Sequence, residues 1–199
     1  MRDSTLLLVD TRPLVDDALA PFMQWLGAGE SGRMQRFVRH GRRRQFLIGR
    51  VLARQALGLL LGADPRHLAL EGAPDAKPFL SGEHPFVDFS ISHSGYWVAC
   101  AASVVTRLGL DIESIDPARD VLSLAEHAFA EPEVAWLKAR PDESRTRDFY
   151  HLWSASEARI KLGAEGACCH FQHDELAIAL CCTDTLTPAP ALVLHSILS

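Results

Sequence analysis

Two carboxylates two residues apart in an otherwise apolar run, Leu108-Gly-Leu-Asp111-Ile-Glu113, constrain this chain more than any other stretch. Residues two apart on a strand share a face. Asp111 and Glu113 therefore point one way while Leu110 and Ile112 point the other, into a core. The pattern describes a half-buried strand with a rim that can only accept hydrogen bonds. A hard divalent cation suits such a rim, because Mg2+ takes oxygen ligands and is usually held by one or two carboxylates together with substrate phosphates. The plainer alternative is an edge strand carrying two solvated acids.

A chain of 199 residues, 48% hydrophobic and 23% charged, is long enough for one sizeable domain or two small packed ones. No apolar run reaches bilayer length, which argues against a membrane-spanning protein. The short apolar start at Leu6-Leu-Leu-Val9 fits a first strand over residues 5 to 9 better than a secretory signal. A net charge of -5 argues against a general nucleic-acid binder. The local exception is Arg39-His-Gly-Arg-Arg-Arg44, which suits a phosphate or an acidic partner unless it is simply a solvated helix start. Cys100, Cys168, Cys169, Cys181 and Cys182 make an odd count without a Cys-x-x-Cys pair, so reduced cytoplasmic thiols are expected. Cys168-Cys-His170-Phe-Gln-His173 is a poor zinc site, because adjacent cysteines on an extended chain face apart.

Taken along the chain, apolar spacing predicts a short helix over residues 21 to 26 and a long one over 42 to 61 that stops at Gly62. Arg43 and Arg44 sit in its first turn, where unpaired N–H groups favour anions. Lys77-Pro78 follows a turn-rich stretch over 72 to 75. Residues 86 to 92 alternate and an apolar run returns at 97 to 102, a hairpin with Ser92-His93-Ser94 at its bend. A Ser-His dyad does not follow, since neighbouring strand residues face opposite sides. After Pro117 comes a helical stretch through His127 and Phe129, and Glu131-Pro-Glu133 opens another helix. The longest helix of the second half covers 145 to 162, with Phe149, Leu152, Trp153 and Ile160 as its expected buried stripe. Glu157 and Lys161 stand side by side on its edge, which alone reads as a surface ion pair. Strands are expected at 175 to 182 and 191 to 198. The run at 176 to 182 echoes that at 97 to 102, hinting at a duplicated half.

Lys77-Pro78, Phe89-Ser-Ile-Ser92-His93-Ser94, Leu108-Gly-Leu-Asp111-Ile-Glu113 and Phe149-Tyr-His-Leu-Trp153-Ser-Ala-Ser-Glu157-Ala-Arg-Ile-Lys161 together resemble the 4'-phosphopantetheinyl transferases of the two-subdomain, Sfp-like type. The resemblance implies an α+β fold of two similar subdomains related by a pseudo-two-fold, over residues 1–105 and 106–199, with the active site in the cleft between them. It implies Mg2+ held by Asp111, Glu113 and Glu157. It implies coenzyme A phosphates met by Lys77, Ser92, His93, Lys161 and, near the 3'-phosphate, Arg43 or Arg44, although Gln45 stands where relatives use an arginine. Glu157, Lys161 and His93 would be catalytic. The implied reaction moves 4'-phosphopantetheine from coenzyme A to a serine of an apo acyl or peptidyl carrier protein, carried out by a cytoplasmic monomer that binds neither nucleic acid nor membrane. The chain departs from the family at Ala76, at Ser156 where relatives have lysine, and after Gly166, where it looks shortened. A non-catalytic module that binds coenzyme A or a carrier protein is the alternative. A Mg2+ phosphohydrolase would explain the acids but not the Lys-Pro and Ser-His-Ser pieces.

Overall fold

A computed structural model describes residues 3–73 and 76–198, so the turn expected over 72 to 75 lies partly outside the described residues. Buried strand β1 (Ser4–Asp10) starts the chain. Short helix α1 (Asp16–Leu19) runs into a 3-10 turn over Ala20–Trp25, followed by α2 (Ala28–Arg36) and the long α3 (His40–Leu61). A small ribbon, β2 (Leu70–Glu71) with β3 (Phe79–Leu80), precedes hairpin β4 (Asp88–Ser94) and β5 (Trp97–Ser103). The second half holds β6 (Leu108–Ser114), α4 (Val121–Ala128), α5 (Glu131–Lys138), α6 (Asp142–Leu162), β7 (Ala167–Phe171) and β8 (Leu176–Cys182). Strand β9 (Leu192–Leu194) returns to the first sheet.

Besides the β2-β3 ribbon, two larger sheets form among the described residues, in orders β4-β5-β1-β9 and β6-β8-β7. Pairing is antiparallel in both except between β1 and β9, which run parallel. The sheets stack because side chains alternate along every strand. Leu6, Leu8, Trp97, Ala99 and Ala101 of the first meet Leu108, Leu110, Ile112, Leu176, Ile178 and Leu180 of the second. The other face of the first sheet, through Leu7, Val9, Val98 and Cys100, takes Ile48, Val51 and Leu52 of α3. The other face of the second carries Ala179 and Cys181 beneath Ala155, Ala158 and Leu162 of α6. The architecture is thus helix, sheet, sheet, helix.

The two halves mirror each other. Each sets a long helix, ended by a left-handed glycine (Gly62 at φ 65°, Gly163 at φ 64°), against a fully buried seven-residue central strand. The echo between residues 97 to 102 and 176 to 182 is therefore structural: β5 and β8 each lie inside their sheet. The second sheet has three strands against four in the first, in keeping with a shortened region after Gly166. Gly109 permits the second half to close, since a Cβ there would stand 2.1 Å from the carbonyl oxygen of Ala158.

Several expectations need correction. Ser92, His93 and Ser94 lie in β4, and the bend falls one step later, at Gly95 (φ 54°) and Tyr96, because only glycine accepts that backbone without strain. Helix α2 lies where Gly27 and Gly29 suggest only the end of the preceding helix. Gly27 instead caps it, donating its N–H to the Glu30 carboxylate at 3.0 Å, and the same carboxylate is ion-paired with buried Arg54. Helix α6 starts earlier than expected, at Asp142, and Ile160 is 69% exposed rather than buried. The helix rests on its small residues Ala155 and Ala158, which puts Ile160 about 200° round from Ala158. Ser156, which by helical angle lies between Leu152 and Ile160, is likewise exposed. The strand expected at 191 to 198 is only Leu192–Leu194, and β7 was not read at all. Finally, the thiols are not all reduced. Cys168 and Cys181 stand directly opposite across β7 and β8 and are joined as a disulfide, while Cys100, Cys169 and Cys182 are free.

Candidate active site

The edge of β6 that does not pair with β8 faces β4, and its alternate N–H groups need partners. Side chains of β4 supply them. Asp88 Oδ2 accepts from Leu108 N–H (2.8 Å), Ser90 Oγ from Leu110 N–H (3.0 Å), Ser92 Oγ from Ile112 N–H (3.2 Å) and Ser94 Oγ from Ser114 N–H (2.9 Å). Each rung spans 20 residues of chain. This side-chain ladder is the seam between the halves, and it fixes the register of the carboxylate strand against the Ser-Ile-Ser-His-Ser strand.

The seam gathers the expected site. Leu110 and Ile112 are buried in the intersheet core, while Asp111 and Glu113 project together from the other face, as the alternation requires. Asp111 Oδ1 accepts from Ser92 Oγ at 2.9 Å and from Lys161 Nζ at 2.7 Å, and Lys161 also donates to Ser92 Oγ at 3.0 Å. Glu113 Oε2 accepts from Ser94 Oγ at 3.0 Å. Lys77 bridges the far end of the ladder, donating to Asp88 Oδ2 (2.6 Å) and the carbonyl of Leu108 (2.8 Å). Burial, and then the neighbouring charge of Asp111, push the Glu113 carboxyl above the usual carboxylate range.

Of the basic residues on α3, the structure brings Arg42 to the site rather than the expected pair. Arg42 Nη1 lies 3.2 Å from each ring nitrogen of His93 and 3.3 Å from Gln45 Oε1, and Gln45 Nε2 donates to the Gly95 carbonyl at 2.9 Å. Desolvation by the surrounding protein, and then the Arg42 charge, hold His93 below the usual histidine range. Arg43 donates to the Phe37 carbonyl at 2.6 Å. Arg44 is tied to Asp16 at 2.8 Å, to the Thr11 carbonyl at 2.9 Å and to the Leu14 carbonyl. Both line an apolar groove on the other side of α3 with Leu19, Met23, Met34 and Leu47. The groove at His93, about 300 Å³, is lined instead by Arg33, Arg42 and Arg50. It shares Arg33, Ala76, Pro78 and Ile91 with a second hollow of about 390 Å³ that ends at Lys77, Ser90 and Lys161. A helical-wheel reading finds Arg42, Gln45, Phe46, Gly49 and Arg50 on one face of α3 and would have separated Arg42 from its two neighbours. Arg33 reaches the groove from α2, a helix that local sequence signals do not reveal. A cavity of about 640 Å³ lies beside Arg33, Phe46 and Arg50 over the Glu30 and Arg54 pair, and Asp111 and Glu113 do not line it.

The residues fit a hard cation in one specific respect. Asp111 Oδ2 is buried and has no hydrogen-bond partner among the described residues, a costly arrangement that a ligand on that oxygen relieves. Glu157 stands four residues, one helical turn, before Lys161 on α6, close enough for its charge to act on Glu113. It does not complete a ready-made cage: among the described residues, no group of three or more His, Cys, Asp or Glu side chains could hold a metal ion. Two carboxylates suffice where substrate phosphates complete the shell.

Both parts of the chain match known families. Residues 13–105 match the family described as 4'-phosphopantetheinyl transferase, N-terminal, and residues 107–193 the 4'-phosphopantetheinyl transferase superfamily. The 4'-phosphopantetheinyl transferase HetI of Nostoc sp. is 32% identical over 172 residues, covering 83% of this chain and 70% of that protein. The 4'-phosphopantetheinyl transferase Sfp of Bacillus subtilis is 31% identical over 155 residues, 78% of this chain and 67% of its own length. The 4'-phosphopantetheinyl transferase AcpT of Salmonella typhimurium is 33% identical over 159 residues, 75% of this chain and 79% of its own. The two matched regions meet at the turn between β5 and β6, where the seam ladder begins, and together they make this chain a member of the 4'-phosphopantetheinyl transferase superfamily.

Proposed function

We propose that this enzyme transfers the 4'-phosphopantetheine group of coenzyme A to a serine of an apo acyl or peptidyl carrier protein, at the seam between its halves. The observation that carries the reading is Asp111: one oxygen is gripped by Ser92 and Lys161, and the other, buried beside Glu113, has no partner among the described residues. Mg2+ would be held by Asp111 and Glu113 and would supply neutralisation of the pyrophosphate charge. The groove from Arg42 and His93 to Lys77 and Lys161 would take the phosphates of coenzyme A, with Arg33, Arg42 and Arg50 in place of Arg43 and Arg44 at its outer end. Ser92, buried in the seam, contributes its hydroxyl to the same line.

In the reaction, the carrier serine oxygen forms a bond to the β-phosphorus of coenzyme A as the bond from that phosphorus to the bridging oxygen breaks. Adenosine 3',5'-bisphosphate leaves. Glu157, half-buried on α6, would take the serine proton, and Lys161 and His93 would hold charge on the phosphoryl oxygens. Lys161 is already aimed across the seam and needs little reorganisation. A binding-only module would have no use for Asp111, Glu113, Glu157 and Lys161 together, so the enzyme is favoured. We take it to act as a cytoplasmic monomer. No helix among the described residues is long and apolar enough to cross a membrane. Mass spectrometry of apo carrier proteins incubated with coenzyme A, with and without Mg2+, tests the reading: a Mg2+-dependent gain of the phosphopantetheine mass supports it, and an unmodified serine across acyl and peptidyl carriers refutes it.

A further inference from the structure

We propose that Ser94 is a positioning residue that sets the Glu113 carboxylate for cation binding, an inference that rests on the reading of Asp111 and Glu113 as the metal rim. A serine hydroxyl has one proton to give and two lone pairs to receive with. In the seam ladder every serine of β4 receives an N–H from β6, but they differ in where the proton goes. Ser92 gives its proton to Asp111 and Ser94 gives its own to Glu113, at 2.9 and 3.0 Å. Ser90, equally part of the ladder at 3.0 Å from Leu110 N, contacts no carboxylate among the described residues.

Ser94 therefore grips two consecutive residues of β6 at once, the backbone of Ser114 and the side chain of Glu113. A glutamate at the half-buried end of a strand has three torsions to lose, and one bond from a fixed neighbour removes most of that freedom before a ligand arrives. The neighbour is itself fixed. The hairpin apex beside Ser94 is closed by Gly95, whose missing Cβ would stand 2.8 Å from Ser114 Oγ, and Gln45 of α3 holds the Gly95 carbonyl at 2.9 Å. Each rim carboxylate is thus held by one serine at one oxygen. The second oxygen takes no protein hydrogen bond among the described residues in either case.

The difference between Ser94 and Ser90 separates positioning from mere strand pairing. Mn2+ alone, which shares the oxygen preference of Mg2+, is titrated into the whole enzyme without substrate, the free ion is counted by electron paramagnetic resonance, and thermal midpoints are recorded in parallel. Outer partners of metal ligands typically change affinity by about ten- to a hundredfold. Ser94→Ala is expected to weaken Mn2+ by at least about tenfold, Ser94→Thr to restore binding, and Ser90→Ala to lower the thermal midpoint while leaving Mn2+ affinity unchanged. Equal Mn2+ affinity in Ser94→Ala and the wild type, or equal losses in Ser94→Ala and Ser90→Ala, overturns the positioning role while leaving the metal rim standing. A wild type that binds no Mn2+ overturns the rim itself and this inference with it.

Discussion

Lys161 on α6 and Ser92 on β4, 69 residues apart in the chain, meet at 3.0 Å across the seam between the two halves. With Asp111 they close a three-way contact to which the first half gives the hydroxyl and the second gives the ammonium and the carboxylate. Neither half alone could build it.

Arg42, not Arg43 or Arg44, should govern coenzyme A binding, because only Arg42 reaches His93 and the groove. Arg42→Ala is expected to raise the Michaelis constant for coenzyme A by about tenfold, the worth of one charge-assisted hydrogen bond, with a smaller effect on turnover. Arg44→Ala should instead lower the thermal midpoint, since its guanidinium ties α3 to the segment after β1. Steady-state kinetics and thermal melts on the two single variants check the split.

Gly109→Ala should destabilise the second half. The new Cβ would fall 2.1 Å from Ala158 O and 2.5 Å from Leu162 N, so α6 must shift away from β6. Overpacking of this kind costs about 1 to 3 kcal/mol, and about 2 to 4 °C of thermal midpoint per kcal/mol in a chain of this size. Because α6 carries Glu157 and Lys161, transfer should fall with stability. A melt unchanged from wild type would mean that α6 does not press on β6 as described.

Acid sensitivity is expected from His151 and His170, whose rings stack at 4.9 Å with their planes 12° apart. Burial holds both below the usual histidine range, and each is further lowered by nearby positive charge, from His170 and Arg147 in one case and Arg159 in the other. The sign follows from proton counting. Between the usual histidine value of about 6.5 and the depressed folded values, the unfolded chain binds more protons than the native one, so stability falls as pH falls through that window. Below it the loss is complete and constant; above about 6.5 it vanishes. His170→Phe keeps a ring against His151 and should flatten the drop in thermal midpoint between pH 7.5 and pH 5. An equally steep drop in that variant would assign it to other groups.

Much of this was legible in the sequence because it depends on local alternation. The placing of Asp111 and Glu113 opposite Leu110 and Ile112 follows from strand geometry, and the end of α3 at Gly62 from a glycine signal. What could not be read were contacts between distant segments. The alternating Asp88, Ser90, Ser92 and Ser94 is visible as a pattern, yet nothing local says that its partners are the N–H groups of residues 20 further on. The buried face of α6 was misjudged for the same reason. Ranked by hydrophobicity, Ile160 belongs inside, but Gly109 and Ala179 on the opposing strands admit a helix only on its alanines. Helix α2 was hidden by glycines whose compensating partner, Arg54, lies on another helix.

The central claim is that the Asp111 carboxylate organises phosphopantetheine transfer, and single-turnover transfer to an apo carrier protein by Asp111→Asn tests it most directly. Asparagine keeps the size and can still accept from Ser92 and Lys161, so the fold should hold and the thermal midpoint should change little. The account predicts that the carrier gains essentially no phosphopantetheine mass with Asp111→Asn, at Mg2+ and coenzyme A concentrations where the wild type converts it fully. Transfer by Asp111→Asn at the wild-type rate would contradict it.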